Sequence, residues 1–477
     1  MGENNQNTMV TDLTSGSVAK RLFKFAFPLF VSNALQAIYN IVDMIVVGQV
    51  VGKEGMSAVS TGGNVLSILN FVVMGFSSAG QILIARDVGK KDMESVRKTI
   101  GTMFSLLLSL SIVISVICYF IRFNLLDWVN TPAEAYDYTM DYTIICMSGL
   151  FFIYGYNIVS AIMRGMGDSK RPFMFVGIAS VINIVLDVLF VAGFDMEVMG
   201  AALATVIGQA FSFIFALIYL YKHKESFGFD FKKEYFIPDR KTVLRLSALG
   251  IPMALQSASI NISMTVVTSW VNGFGVIFSA CSGVLNKLNM MVSVLSNSLS
   301  TAAGSMVGQN LGAKKYERVP RILVLAMAAA AVINTIYVCV LLACPNFIIG
   351  LFTQDADVVA NAVIIVIPAL IGAYGAATRT FAFGIINGSG KSLLNLAVAL
   401  IDGLIGRIGI AYLLGNVLGM GPQGFWIGDS VAGFIPFLIG FTFFLSGRWK
   451  SKSSGKDNGS EKQDEGEAGD CKTCGQV

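Results

Sequence analysis

Polar and apolar positions divide this chain into long blocks. Windows dominated by apolar residues run over about 22–50, 57–85, 99–121, 138–163, 172–193 and 199–221, and again over 247–272, 277–305, 321–343, 357–385, 392–415 and 424–446. A helix needs roughly 20 apolar residues to cross a bilayer, so each window predicts one transmembrane helix. The connections are mostly short and polar. The predicted fold is an all-α polytopic membrane protein of twelve spans. No cleavable signal peptide precedes the first window, whose length already suffices to span, and the chain is expected to insert uncleaved.

Composition agrees with this pattern. The 477 residues are 54% hydrophobic and 13% charged, with a mean hydropathy of +0.68, more apolar surface than a water-soluble core can hide. Basic residues then predict orientation, because Lys and Arg flanking spans are retained in the cytoplasm. They collect in alternate connections, at Arg86, Lys90, Lys91, Arg97 and Lys98, at Arg164, Lys170 and Arg171, between Lys222 and Arg245, at Lys314, Lys315, Arg318 and Arg321, and at Lys391. The other connections hold Lys53 and Arg122 together with acids such as Asp127, Glu134, Asp195, Glu197, Asp355 and Asp357. Both termini are expected on the cytoplasmic side. The net charge of +4 reflects this topology and gives no reason to expect nucleic-acid binding.

An internal repeat runs through the pattern at a spacing near 224 residues. Pro28 and Pro252 each stand early in the first helix of a half. Val88, Gly89, Lys91, Glu94 and Val96 answer to Leu311, Gly312, Lys314, Glu317 and Val319, and Gly167 and Lys170 answer to Gly388 and Lys391. Six helices per period is an even number, so the halves share one orientation about an axis along the membrane normal. The expected organisation is an N-terminal segment 1–20, a first lobe 21–222, an inter-lobe loop 223–246, a second lobe 247–446 and a disordered polar tail 447–477. The lobes are two pseudo-symmetric six-helix bundles around a central cleft.

Two sequence features lose their first interpretation on inspection. The stretch Gly384–Ser392, GIINGSGKS, lacks the glycine a phosphate loop needs, because residue 385 is Ile. It reads as a turn between two spans. Cys118, Cys146, Cys281, Cys339 and Cys344 lie in or beside apolar windows, where packing is the default use. Cys471 and Cys474 have metal-like spacing but stand alone in the tail.

Ionisable groups within spans are expensive and mark candidate function. Asp43 lies about seven residues from the outer end of the first window and Asp187 about six from that of the fifth, at matching depth. One turn inward on the same faces lie Tyr39 and Asn183. Gln36 and Asn40 extend the stripe on the first helix, Thr205 sits at the same level on the sixth, and Asn157 approaches from the fourth. Carboxylates with an amide and a hydroxyl are hard oxygen ligands for sodium, and a carboxylate in apolar surroundings also serves as a proton carrier. Either ion fits. Hydrogen-bonded packing of helices is the plain alternative for Gln36, Asn40 and Asn157.

The second half differs, since Val267 stands in the place of Asp43. It carries Lys287 on the eighth span, Arg379 on the tenth, Asp402 and Arg407 on the eleventh and Asp429 on the twelfth. Bases outnumber acids there. Asp402 paired structurally with one base is one reading, and a pocket that senses substrate charge or holds the lobes closed is the other. Arg379 is also near enough to the cytoplasmic end of its span to snorkel.

Three motifs together resemble the MATE family of multidrug and toxic compound extrusion transporters, and are most similar to its DinF-type bacterial branch. They are LTSGSVAKRLFK at Leu13–Lys24 with the following FPLFVSNALQAIYNIVDMIVVGQVVG, MRGMGDSKRPF with Asn183 and Asp187, and MVGQNLGAKK at 306–315. The resemblance covers nearly all of residues 12–446. It implies two six-helix lobes forming a V, and export of small amphipathic molecules from a bacterial plasma membrane by proton or sodium antiport. Residue by residue, the family's coupling site falls on Asp43, Asn183, Asp187 and Thr205, the candidate sodium ligands, with Tyr39 and Asn157 close by. Pro28 matches the bending proline. The seventh span offers Gln256 but no carboxylate, and the second-lobe bases run against a purely cationic substrate range. A monomer without any cofactor beyond the coupling ion is expected. The runner-up is a lipid-linked sugar flippase of a related two-bundle family, although such proteins tend to carry extra helices. An enzyme is not expected, because no His, Cys or Ser constellation supplies a nucleophile and base.

Overall fold

The structure, a computed structural model, describes residues 10–352, 358–360 and 363–450. Asp355, Asp357, Cys471, Cys474 and the tail from residue 451 lie outside the described residues. The first half contains α1 (Val18–Val50), α2 (Lys53–Gly89), α3 (Met93–Phe120), α4 (Ala133–Ser148 and Leu150–Gly165), α5 (Lys170–Gly193) and α6 (Glu197–Lys222). The second contains α7 (Arg240–Asn272), α8 (Val276–Gly312), α9 (Tyr316–Ala343), α10 (Val366–Ser389), α11 (Ser392–Val417) and α12 (Gly421–Leu445). Among the described residues eleven helices are long and apolar enough to cross a membrane, and α4 makes a twelfth as a pair bent by 50°.

The helix boundaries follow local chemistry. Asp92 caps α3 by accepting from the Ser95 amide at 3.0 Å and Oγ at 2.7 Å, and Asp239 caps α7 through Thr242 in the same way. These hydrogen bonds hold both carboxyls below the usual carboxylate range. Gly390, at φ +64°, ends α10 inside GIINGSGKS, which is a turn between spans. α2 and α8 have 37 residues each, about 55 Å at 1.5 Å per residue, so each extends beyond the hydrocarbon. Two expected boundaries shift. α7 begins at Arg240, inside the expected loop 223–246, and the tail begins folded, with Trp449 stacked on Phe444 at 5.5 Å.

Loops rich in Lys and Arg define one end of the molecule, here called the basic end. At that end the cores of the two halves are crossed. Leu22, Phe25 and Leu29 of α1 pack among Leu299, Met306, Ile322 and Ile385 of the second half. Leu246, Leu249 and Met253 of α7 pack among Phe76, Leu83 and Ile100 of the first. At the far end each half keeps its own core, Val47 with Val65 and Ala201 in one, Val267 with Leu285 and Phe425 in the other. The two halves therefore share apolar cores at the basic end and keep separate ones at the far end.

Polar contacts close the basic end. Arg245 of α7 grips Asp87 of α2 with two hydrogen bonds of 3.0 Å. Gln81 donates to Ser305 Oγ at 2.7 Å while accepting from Arg164, and Asn33 donates to Ser298 at 3.0 Å. The segment before α1 straps across the same seam. Thr11 donates to the Met166 carbonyl in the first half, Leu13 to Gln309 Oε1 in the second, and Lys315 reaches the Thr14 carbonyl.

Candidate functional site

The i, i+4 spacing puts Tyr39 under Asp43 on α1 and Asn183 under Asp187 on α5, and the packing of α1 against α5 brings the two acids together. Asp43 and Asp187 are 3% and 0% exposed, and their side chains stand close enough to interact. Among the described residues no group donates to Asp43 Oδ1 or to either Asp187 oxygen. Neither acid joins any ion pair found among the described residues. Asn183, one turn before Asp187, and Thr205 on α6 keep their own polar atoms buried and without hydrogen-bond partners. Buried carboxylates, an amide and a hydroxyl are oxygen groups whose chemistry suits a monovalent cation or a proton.

A cavity beside this group is lined by Gln36, Tyr39, Asn183, Thr205, Tyr156, Ser180 and Gln209. Tyr39 and Gln209 both line this cavity. Tyr142 and Cys146 of α4 stand close enough to Asp43 to feel its charge. Gln209, Tyr156, Ser180 and Tyr142 were not singled out from sequence. Gln209 was within reach, because it follows Thr205 by the same four residues that separate Tyr39 from Asp43. Two expected neighbours turn away. Asn157 donates to the Ile153 carbonyl of its own helix, and Asn40 is exposed. Pro28 sits in an α1 that runs unbroken from Val18 to Val50, with Ser32 Oγ donating to its carbonyl at 2.9 Å.

In the second half Arg407 is 2% exposed and lies between two acids, its Nη1 2.6 Å from Asp429 Oδ1 and its Nε 3.5 Å from Asp402 Oδ1. Arg407 thus pairs with both acids, more closely with Asp429 than with Asp402. Arg379 does not snorkel. Its Nε donates to the Gly433 carbonyl at 3.1 Å, where α12 breaks between Ala432 and Ile435. Its flank lines a small pocket with Ser293, Ser296, Asn297, Ser300 and Thr380. Lys287 is exposed on α8. Gln256 is buried on α7. Among the described residues no cluster of three His, Cys, Asp or Glu side chains is placed to hold a metal.

Comparison with known proteins agrees with this architecture. A family model described as MatE matches residues 28–189 and again 252–413, repeats that begin and end 224 residues apart, from 252 − 28 and 413 − 189. The Probable multidrug resistance protein YpnP of Bacillus subtilis (strain 168) is 28% identical over 446 residues, 92% of this chain and 98% of its own. A crystal structure of MATE in the bent conformation superposes with a TM-score of 0.83 at 22% identity, covering 93% of this chain and 98% of that one. A MOP superfamily transporter from Pyrococcus furiosus Vc1 (DSM3638), whose binding pocket is described as having a reverse polarity that suggests a different function, gives 0.84 at 22% identity. It covers 94% of this chain and 100% of its own. At such identities these two likenesses establish the fold alone. With each half matched separately by the same model, the chain belongs to the MatE family.

Proposed function

We propose that this protein is a secondary active exporter of small amphipathic organic compounds in a bacterial plasma membrane, driven by proton or sodium antiport through alternating access. The observation that carries this reading is the facing pair Asp43 and Asp187, buried in the first lobe without a basic partner. Two carboxylates in such surroundings need a cation or a proton between them. They sit on α1 and α5, and α1 also packs into the other lobe, so occupancy of the pair can bias how the lobes meet. The names of relatives such as YpnP point to multidrug resistance. The basic end is cytoplasmic in this reading, in keeping with retention of Lys and Arg.

Arg379 and Lys287 extend the range toward neutral and anionic amphiphiles, which their charge attracts more than it does cations. The deciding experiment is efflux from proteoliposomes with a proton gradient and a sodium gradient imposed separately. Substrate movement against its own gradient, driven by one of them and lost in Asp43→Asn, is expected. Export that needs neither gradient would overturn the proposal.

A further inference from the structure

The two lobes can be placed in register with each other from backbone features at their far ends. Phe194 N donates to Leu189 O and Leu418 N to Leu413 O, both at 2.9 Å, and Met196 N donates to Phe190 O as Met420 N does to Leu414 O. Asp195 and Glu197 adopt left-handed backbone, as do Gly419 and Gly421. Gly200 packs against the Phe190 backbone and Gly424 against that of Leu414. Every one of these pairs is 224 residues apart, as 418 − 194 and 424 − 200 show.

Carried one or two turns inward, this register puts Arg407 at the place of Asn183 and Asp429 at the place of Thr205. Asp187 becomes Ala411, and Asp43 becomes Val267. The second lobe therefore keeps the framework of the first-lobe site but loses its facing acids. A guanidinium stands there instead, between Asp429 and Asp402.

We infer that Arg407 is a tethered cation filling the second-lobe counterpart of the ion site, so that ion exchange draws on Asp43 and Asp187 alone. A guanidinium stays protonated under all physiological conditions and is fixed to its helix, so it can neither be released nor titrated away. Two acids surround Arg407, and Arg379 lies near enough to interact with all three groups, so the four charges balance without a mobile ion. Arg407 is a positioning residue in this account. It holds the second lobe in one state of charge while the first lobe cycles.

The inference rests on the ion-coupled reading of Asp43 and Asp187, and its test separates the two. The ratio of ions to substrate is measured from reversal potentials in proteoliposomes. It is compared between wild type and a charge-free triple variant, Asp402→Asn, Arg407→Gln and Asp429→Asn. An unchanged ratio is expected, and a ratio lower in the triple variant would overturn the inference. Absence of coupling in wild type would instead sink the proposed function. A second measurement needs no transport. In a protein carrying Asp43→Asn and Asp187→Asn, thermal melting is followed against sodium chloride and against pH, with choline chloride as control. With Arg407 intact the melting point should respond to neither, and with Arg407→Gln it should rise with sodium or with acid. A response with Arg407 intact, or none after its removal, would refute the tethered cation.

Discussion

Gly89 and Gly312 meet across the seam between the lobes. A Cβ on Gly89 would stand 2.1 Å from the Gln309 carbonyl oxygen, and one on Gly312 would stand 2.1 Å from that of Arg86. The two glycines occupy matching places in the repeat, so the ends of α2 and α8 rest on each other's backbone in a reciprocal way. Neither contact tolerates a side chain. Gly312→Leu should force the basic end apart and favour the conformation open there. A cysteine placed at Ser305, fully buried in the seam, should then react with a polar thiol reagent at least about tenfold faster, the ratio that 1.4 kcal/mol produces. Unchanged reactivity would show that the seam is not a gate.

Asp43→Asn and Asp187→Asn should each abolish gradient-driven export while leaving the protein folded in the membrane, because the amide keeps the size and removes the charge. The facing carboxylates act as one unit, so the double variant should be no worse than either single one. Efflux rates and size-exclusion profiles of all three variants check this. Coupled transport near wild type in both single variants would rule out the site.

Pro28→Ala restores a backbone donor about four turns from Asp43 on α1. If export requires α1 to bend at this point, the variant should turn over several-fold more slowly while binding the coupling ion as before. Ion binding and steady-state efflux measured on one preparation separate these effects. Equal turnover would remove Pro28 as a hinge.

Lys287→Ala should raise efflux of an organic cation relative to an organic anion of similar size, since it removes an exposed positive charge on α8. Arg379→Ala should move selectivity the same way and also lower the melting temperature. It leaves the Gly433 carbonyl without its donor, a loss on the order of 1–3 kcal/mol for a buried group. Selectivity identical to wild type in both variants would make the two bases purely structural.

Residue order alone was enough for the count of the spans, the duplication and the places of Asp43, Asn183, Asp187 and Thr205 along their helices. Each of these depends on periodicity along one helix, which residue order records directly. Whether Asp43 faces Asp187, and whether Arg407 faces a cavity or two acids, depends on rotations of separate helices that no local pattern encodes. The same holds for the crossing of α1 and α7 into opposite lobes and for the strap of residues 11–15 over the seam. Asn157 and Asn40 show the limit from the other side. Both carry polar side chains at suitable depth, yet packing turned one to its own helix and left the other exposed. Spacing fixed how far along a helix a group stands, and tertiary packing decided what it meets.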